Sequence, residues 1–109
     1  MNHPTTGAAT TRRAILDLLN AEAPALCRKY AVHSLKIFGS MARGDDQPGS
    51  DVDILVTFEG KVTFDHFMGL KFDLEALIGR PVDLGTTAML RPELRDRIEK
   101  EAILVPQAR

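Results

Sequence analysis

The chain is poor in the residue types that mark several specialised classes of protein. Cys27 is the single cysteine among 109 residues, which excludes an internal disulfide framework and favours a reducing compartment. The sequence has no apolar run of about 18 residues, the length needed to span a membrane. Its first residues, MNHPTTGAATTRR, lack the apolar core of a secretion signal. We therefore expect a cytoplasmic protein with no membrane association.

The sequence also lacks an excess of charge of either sign. Fourteen Lys and Arg residues stand against 15 Asp and Glu residues, so the formal net charge is −1. A protein that binds nucleic acid broadly is usually strongly basic, so we expect no direct nucleic-acid binding. Hydrophobic residues make up 44% and charged residues 27% of the chain, a balance typical of globular domains. The length predicts one domain at 9–109, after an unstructured tail at 1–8.

Apolar residues at helical spacing predict three main helices. The first follows a cap at Thr10 or Thr11, and Pro24 either kinks it or starts a second helix. The second ends at Gly79, a plausible C-cap. The third begins near Pro92 and turns Leu94, Ile98 and Ala102 inward. We interpret the alternating charges at 91–100 as a solvated helix face.

Shorter apolar segments bounded by turn formers predict the strands. They lie at 33–38, 52–58 and 80–84, and the apolar segment 103–105 is expected at the sheet edge. Gly85 is expected to follow the third strand, and Thr86 or Thr87 to cap a short helical turn. This order predicts a small α/β (α+β) layer fold, a mixed sheet with helices packed on one face.

Two carboxylates open the second predicted strand. Side chains alternate between the faces of a strand, so Asp51 and Asp53 point one way and Val52, Ile54 and Val56 point into the core. Charged groups at the start of a buried strand are costly unless they are paired. A divalent metal ion carrying a phosphate is the partner that this pattern suggests.

The third predicted strand repeats the pattern on a smaller scale. Val82 and Leu84 face the core, and Asp83 faces away from it. If the two strands are neighbours, Asp51, Asp53 and Asp83 share one open sheet face. Oxygen ligands of this kind suit Mg²⁺ or Mn²⁺, and two such ions can act on the attacking and leaving oxygens in phosphoryl chemistry.

The loop between the first two strands contains groups suited to phosphate. Gly39 and Ser40 lie between a strand and a short predicted helix at 40–43, where backbone N–H groups and a hydroxyl can hold phosphate oxygens. Arg43 can add a charge-assisted contact. The plainer alternatives are an ordinary strand-to-helix turn at Gly39 and Ser40, and a surface salt bridge at Arg43.

The ordered set GSMARG, SDVDILV and VDL resembles the nucleotidyltransferase superfamily of the DNA polymerase β type. It looks most like the minimal MNT-domain antitoxins, which are paired with HEPN-domain toxins, and the resemblance extends over about 32–105. It implies a nucleotidyltransferase fold and specific roles for seven residues. In those roles, Gly39 and Ser40 would hold the triphosphate, and Arg43 would support the phosphates. Asp51 and Asp53 would bind two Mg²⁺ ions. Asp83 would complete the metal site and help the acceptor hydroxyl lose its proton, and Ser50 would fix or cap the loop.

The resemblance also implies a reaction and a partner. AMP from ATP would pass to a tyrosine hydroxyl of a HEPN toxin, in a type VII-like toxin–antitoxin pair assembled as a hetero-oligomer. Two alternatives remain open at this point. The chain could neutralise its toxin by binding alone, or it could transfer a nucleotide to a small molecule such as an aminoglycoside.

Overall fold

The fold is known from a computed structural model that describes residues 12–44 and 51–105. Three predicted features lie outside those residues: the tail at 1–8, the helix cap at Thr10 or Thr11, and Ser50. In the parts of the chain that the structure covers, no helix has the length and apolar character of a membrane span.

The elements follow the order expected from the sequence. The helices are α1 (Arg12–Tyr30), α2 (Gly39–Arg43), α3 (Phe64–Ile78) and α4 (Pro92–Glu101), with a 3₁₀ turn at Thr87–Met89. The strands are β1 (Val32–Phe38), β2 (Val52–Phe58), β3 (Val82–Thr86) and β4 (Ile103–Val105). The predicted mixed α/β fold is confirmed.

The four strands form one sheet in the order β3-β2-β1-β4. β1 is antiparallel to both β2 and β4, whereas β2 and β3 are parallel. The second and third strands are therefore neighbours, which is the condition under which the sequence places their acidic residues on one sheet face. The C-terminal end of β1 meets the N-terminal ends of β2 and β3, so the turn after Phe38 lies beside the residues that open those two strands.

Helix α1 is continuous through Pro24, which resolves the choice between one helix and two. Its buried residues are Ile15, Leu19, Ala23 and Cys27, spaced every four residues along one face. Helix α3 buries Leu70, Leu74 and Ile78 and ends at Gly79. Gly79 adopts φ 80° and its N–H donates to the Glu75 carbonyl, as expected for a glycine C-cap.

The core lies between these two helices and one face of the sheet. On β2, the side chains of Val52, Ile54 and Val56 are buried and belong to this core. Asp53 alternates with them and points to the opposite face of the sheet. The predicted separation of apolar and acidic side chains along β2 is therefore confirmed.

Two boundary predictions were wrong in detail. The third strand was expected at 80–84, but β3 runs from Val82 to Thr86. Pro81 has no N–H and cannot donate to the ladder, although its carbonyl accepts a 2.9 Å hydrogen bond from the Val52 N–H. At the other end, Gly85 continues the strand because it pairs with Leu55 of β2.

The inward orientation of Leu94 was also wrong, because its side chain is 41% exposed. Helix α4 has no fully buried residue, and it packs against α2 and β1 rather than into the core. Its ion pair to β1 joins Glu99 Oε1 to Lys36 Nζ at 2.8 Å. Ile98 and Ala102 are half-buried, in agreement with the prediction.

Candidate active site

Asp53 and Asp83 form the centre of the candidate site. They are directly paired in the parallel register of β2 and β3, so both side chains leave the same face of the sheet. A side-chain hydrogen bond with Asp83 is one of the causes that raise the pKa of Asp53. The structure thus brings together two of the carboxylates that the sequence predicted to converge.

This pairing changes the acidity of Asp53. Burial is the main cause that raises the pKa of Asp53 from 3.8 to about 6, and the negative charges of Asp83 and Asp51 add to it. Arg43 acts in the opposite direction and lowers the pKa. A carboxyl group whose surroundings disfavour its negative charge is suited to bind a cation.

Asp51 lies immediately before β2 and is exposed. Its charge reaches Asp53, as the raised pKa of Asp53 shows. Within residues 12–44 and 51–105, however, no group of three His, Cys, Asp or Glu side chains is arranged to hold a metal ion. The side chains that meet are those of Asp53 and Asp83, with Asp51 beside them.

Residue 39 must be a glycine because its backbone lies against the side chain of Asp53. Its φ is +70°, and a Cβ atom at this residue would overlap Oδ2 of Asp53. Only glycine combines that conformation with such a close approach at low cost. The turn between β1 and α2 therefore places its backbone against the Asp53 carboxyl, and the predicted contact of Gly39 with a triphosphate stays a prediction.

Helix α2 holds Ser40 next to this turn. Ser40 is the second residue of the helix and is half-buried, and its carbonyl accepts a 2.9 Å hydrogen bond from the Gly44 N–H. The buried side chain of Met41 anchors the helix. The backbone carbonyl of Met41 accepts a 2.7 Å hydrogen bond from Arg12 Nε. A five-residue helix has little stability of its own, so these contacts fix the position of the glycine–serine turn.

Arg43 is the last residue of α2 and forms an ion pair with α4. Its Nη1 atom lies 3.4 Å from Oε1 of Glu101. Glu101 also contacts Arg97 on its own helix, at 3.5 Å. Arg43 thus forms the surface salt bridge that was the plainer alternative from the sequence, and its charge also lowers the pKa of Asp53. Its predicted contact with a phosphate stays a prediction.

Sequence reasoning missed Glu101 and Arg12 as supports of the site. Glu101 is 58 residues from Arg43 and Arg12 is 29 residues from Met41. No local pattern links such pairs, and the charges of α4 were interpreted only as a solvated face. The contacts form because the fold brings Arg12 at the start of α1 and Glu101 at the end of α4 to α2.

Comparison with known proteins agrees with this geometry. A family model described as a nucleotidyltransferase domain matches residues 23–105. A provisionally named protein adenylyltransferase of Methanocaldococcus jannaschii is 45% identical over 76 residues, which cover 69% of this chain and 81% of that protein. The protein adenylyltransferase MntA of Thermococcus cleftensis is 35% identical over 98 residues, which cover 90% of this chain and 99% of that protein.

Solved structures show the same fold. A provisionally assigned minimal nucleotidyltransferase has 37% identity and a TM-score of 0.68, and the match covers 81% of this chain and 93% of that one. A second structure is that of a tri-AMPylated Shewanella oneidensis HEPN toxin in complex with an MNT antitoxin. It has 17% identity and a TM-score of 0.61, with 85% of this chain and 73% of that chain covered, and it supports the fold alone. The chain is thus a nucleotidyltransferase: it belongs to the nucleotidyltransferase domain family, and its relatives in Methanocaldococcus jannaschii and Thermococcus cleftensis are named protein adenylyltransferases.

Proposed function

We propose that this chain is an antitoxin that adenylylates a HEPN-domain toxin in the cytoplasm, with ATP as substrate and Mg²⁺, or Mn²⁺ in its place, as cofactor. The observation that carries the proposal is the in-register pair of Asp53 and Asp83 beside the backbone of Gly39. Relatives that match nearly the whole chain are named protein adenylyltransferases. One structural neighbour is a toxin–antitoxin complex with AMP-PNP, and another contains a tri-AMPylated HEPN toxin.

Two of the acidic side chains offer oxygen ligands to a divalent cation, and the third lies beside them. Asp53 and Asp83 are paired in register on neighbouring strands, and the pKa of Asp53 is raised to about 6 by burial and then by its acidic neighbours. A cation between these oxygens would relieve that repulsion, and hard divalent ions prefer oxygen ligands. Asp51, Asp53 and Asp83 would hold the metal, which would neutralise phosphate charge and orient the nucleotide.

The remaining groups would position the reactants. The backbone N–H groups at Gly39 and Ser40, the Ser40 hydroxyl and Arg43 would bind the triphosphate, and Ser50 would support the loop that leads to Asp51. The oxygen of the acceptor hydroxyl would attack the α-phosphorus of ATP. The bond from that phosphorus to the bridging oxygen would break and pyrophosphate would leave, while Asp83 would take the hydroxyl proton. Positioning and charge stabilisation are the main sources of rate in such transfers.

The acceptor belongs to another molecule. Tyr30 is the only tyrosine in the chain, and it lies at the C-terminal end of α1, just before β1 begins. The seven residues of β1 separate it from Gly39, which corresponds to about 20 Å along an extended strand. Its hydroxyl donates a 2.6 Å hydrogen bond to Asp73. Transfer to Tyr30 within one molecule is therefore excluded by distance, and a toxin tyrosine is the acceptor that we propose.

The experiment follows label from α-labelled ATP to the HEPN-domain protein co-purified with this chain. We expect labelling of the partner with Mg²⁺, and none after chelation by EDTA. The variants Asp53→Asn and Asp83→Asn should abolish the transfer. Asp17→Asn is the matched control, since Asp17 lies in an exposed i,i+4 pair with Arg13, and it should label the partner like the unmodified chain. Persistent labelling by both site variants would contradict the proposal.

Neutralisation by binding alone is the alternative, and a cellular assay separates it from catalysis. The double variant Asp51→Ala plus Asp53→Ala should still bind the toxin and fail to protect cells. Full protection by this variant would show that covering the toxin is sufficient and that the chemistry is dispensable.

A further inference from the structure

Glu75 connects helix α3 to the first residue of β3. Its Oε2 atom accepts a 2.9 Å hydrogen bond from the Val82 N–H, seven residues further along the chain. The Glu75 side chain is half-buried, and it also forms an ion pair with Lys71 Nζ at 2.9 Å. A hydrogen bond from a backbone N–H to an ionised carboxylate is stronger than one between neutral groups. The contact is therefore a firm connection between the helix and the strand.

The geometry of the sheet directs the Val82 N–H away from β2. In the order β3-β2-β1-β4, β3 is an edge strand and pairs with β2 on one side. Successive residues of a parallel strand direct their polar backbone groups alternately to its two sides. The Pro81 carbonyl accepts from the Val52 N–H, so Pro81 faces β2 and Val82 faces the free edge. Val82 is buried, and a buried backbone donor without a partner is costly. Glu75 supplies that partner.

The Glu75 side chain is ionised in this contact. The hydrogen bond from the Val82 N–H is the main cause that lowers the pKa of Glu75 below its ordinary value of 4.5, followed by the contact with Lys71, while partial burial acts in the opposite direction. Lys71 lies one helical turn before Glu75, so its ammonium group also restrains the carboxylate. At neutral pH the connection to β3 is thus made by a charged group that is held in place.

The connection lies one residue before a carboxylate of the candidate active site. Asp83 follows Val82 and is paired in register with Asp53. Asp83 is the second residue of a five-residue strand at the edge of the sheet. The ends of such strands open more readily than the interior of a sheet. A contact that holds Val82 therefore also limits the movement of Asp83 relative to Asp53.

Glu75 contacts β3 at the backbone and on the side away from the reacting groups. Helix α3 packs on the core face of the sheet, to which Val82 and Leu84 also belong. Asp83 alternates with those two residues and faces the opposite side of the sheet. Any effect of Glu75 on the chemistry is therefore transmitted through the strand.

We infer that Glu75 is a positioning residue: its carboxylate holds the start of β3 against α3 and thereby keeps Asp83 opposite Asp53. The inference rests on the proposed function where it assigns Asp83 to adenylyl transfer. The hold on β3 is a property of the free chain, so it can be measured without a partner, a nucleotide or a metal ion.

Amide hydrogen exchange, followed by NMR in the purified chain, tests the hold on β3. The measured quantity is the exchange rate of the Asp83 amide, which faces Val52 in the ladder, relative to that of Leu19 in the core of α1. Glu75→Leu removes the acceptor and should raise this ratio about tenfold or more, because the end of the strand then opens locally. Glu75→Gln keeps an uncharged oxygen at the same place and should raise it by less than about threefold.

Two controls separate a local opening of β3 from a general loss of stability. Lys71→Gln removes the ion pair and leaves the bond from Val82 to Glu75. Tyr30→Phe breaks a hydrogen bond between α1 and α3 and destabilises the chain away from β3. Both variants should leave the ratio unchanged. An unchanged ratio in Glu75→Leu, or an equal rise in Tyr30→Phe, overturns the inference.

Transfer of label to the HEPN-domain partner tests the consequence for the site. Glu75→Leu should lower kcat about tenfold and change the KM for ATP by less than about twofold, because the groups that we place at the triphosphate lie at the turn before α2 and on α2. Glu75→Gln should keep at least about a third of the normal kcat, since its oxygen still accepts the bond. A normal kcat in Glu75→Leu, or an equal loss of kcat in Glu75→Gln, overturns the inference.

Circular dichroism verifies that each variant is folded. If Glu75→Leu does not fold, Glu75→Ala takes its place, since alanine suits a helix best. Absence of labelling by the unmodified chain would count against the proposed function, and the exchange ratio would then decide alone whether Glu75 holds β3.

Discussion

The Asp53 carboxyl group lies against the backbone of Gly39, at the point where a Cβ atom on residue 39 would overlap Oδ2. Two segments that are distant in the sequence are thereby joined: the turn after β1 and the start of β2. The contact explains why residue 39 is a glycine. It also places the backbone of the turn against Asp53, the carboxyl group whose pKa is raised.

Replacement of Gly39 by alanine should damage both the fold and the site. The substitution forces a left-handed φ and a steric overlap with Asp53, which together should cost about 2–4 kcal/mol of unfolding free energy. Gly60→Ala is the matched control: Gly60 has φ +76°, but an added Cβ would meet no described atom within 4 Å, so it should cost about 1 kcal/mol. Urea unfolding and ATP titration measure the two effects. Equal stability and equal ATP binding in both variants would contradict the steric argument.

Asp53→Asn should stabilise the metal-free protein at neutral pH. The pKa of Asp53 is raised to about 6 by burial, then by Asp83 and Asp51. Between its unfolded value near 3.8 and about 6, the folded state holds the proton more tightly, so stability falls as pH rises through this window and the full penalty remains above it. The asparagine variant escapes this penalty. Its melting temperature should exceed that of the unmodified chain by roughly 5 °C at pH 7.5.

The same comparison at low pH is the internal check. Near pH 3.5 the carboxyl is largely protonated in both folded and unfolded states, so the difference between Asp53→Asn and the unmodified chain should largely disappear. Asp17→Asn should show no such pH-dependent gain. A constant difference at all pH values would mean that the raised pKa of Asp53 is not its source.

Glu101→Gln should weaken ATP binding more than it slows chemistry. Glu101 contacts Arg43 at 3.4 Å and so fixes a guanidinium that we place at the phosphates. Loss of the charge should raise the KM for ATP about three- to tenfold with kcat little changed, the scale of roughly 1 kcal/mol. Arg97→Gln removes the other partner of Glu101 and should leave KM unchanged. Similar KM values for both variants would show that the ion pair serves stability alone.

Tyr30→Phe should reduce stability and spare activity. The Tyr30 hydroxyl donates to Asp73 at 2.6 Å, and Lys29 Nζ contacts the same carboxylate at 3.0 Å. Loss of the hydroxyl should lower the free energy of unfolding by about 1 kcal/mol. Transfer of label to the partner should continue at the normal rate. Slower transfer to the partner would contradict the expectation, and label on this chain itself that disappears with Tyr30→Phe would identify Tyr30 as an acceptor, in conflict with its distance from Gly39.

The sequence predicted the parts of the molecule that local chemistry determines. The bounds of β2 agree with the prediction because an apolar segment, Val52 with Ile54, Leu55 and Val56, lies between clear turn formers. The end of α3 at Gly79 follows from the conformational freedom of glycine. The pairing of Asp53 with Asp83 could be stated only conditionally, because the sequence does not determine which strands are neighbours.

Other features depend on tertiary packing and had no local signal. Arg43 meets Glu101 across 58 residues, and the pattern of α4 indicated only a solvated face. The exposure of Leu94 has the same cause, since a helical spacing of apolar residues does not show how far a helix lies from the core. β3 begins and ends two residues later than predicted. Gly85 was expected to follow the strand, but it belongs to the strand because it pairs with β2.

The intact mass of the HEPN-domain partner, co-expressed with this chain, tests the central claim most directly. We expect the partner to gain one or more adenylyl groups with the unmodified chain, and none with the variant Asp53→Asn plus Asp83→Asn, although that variant still binds it. An equal mass gain with both, or an unmodified partner in each case, would contradict the assignment of this carboxylate pair to adenylyl transfer.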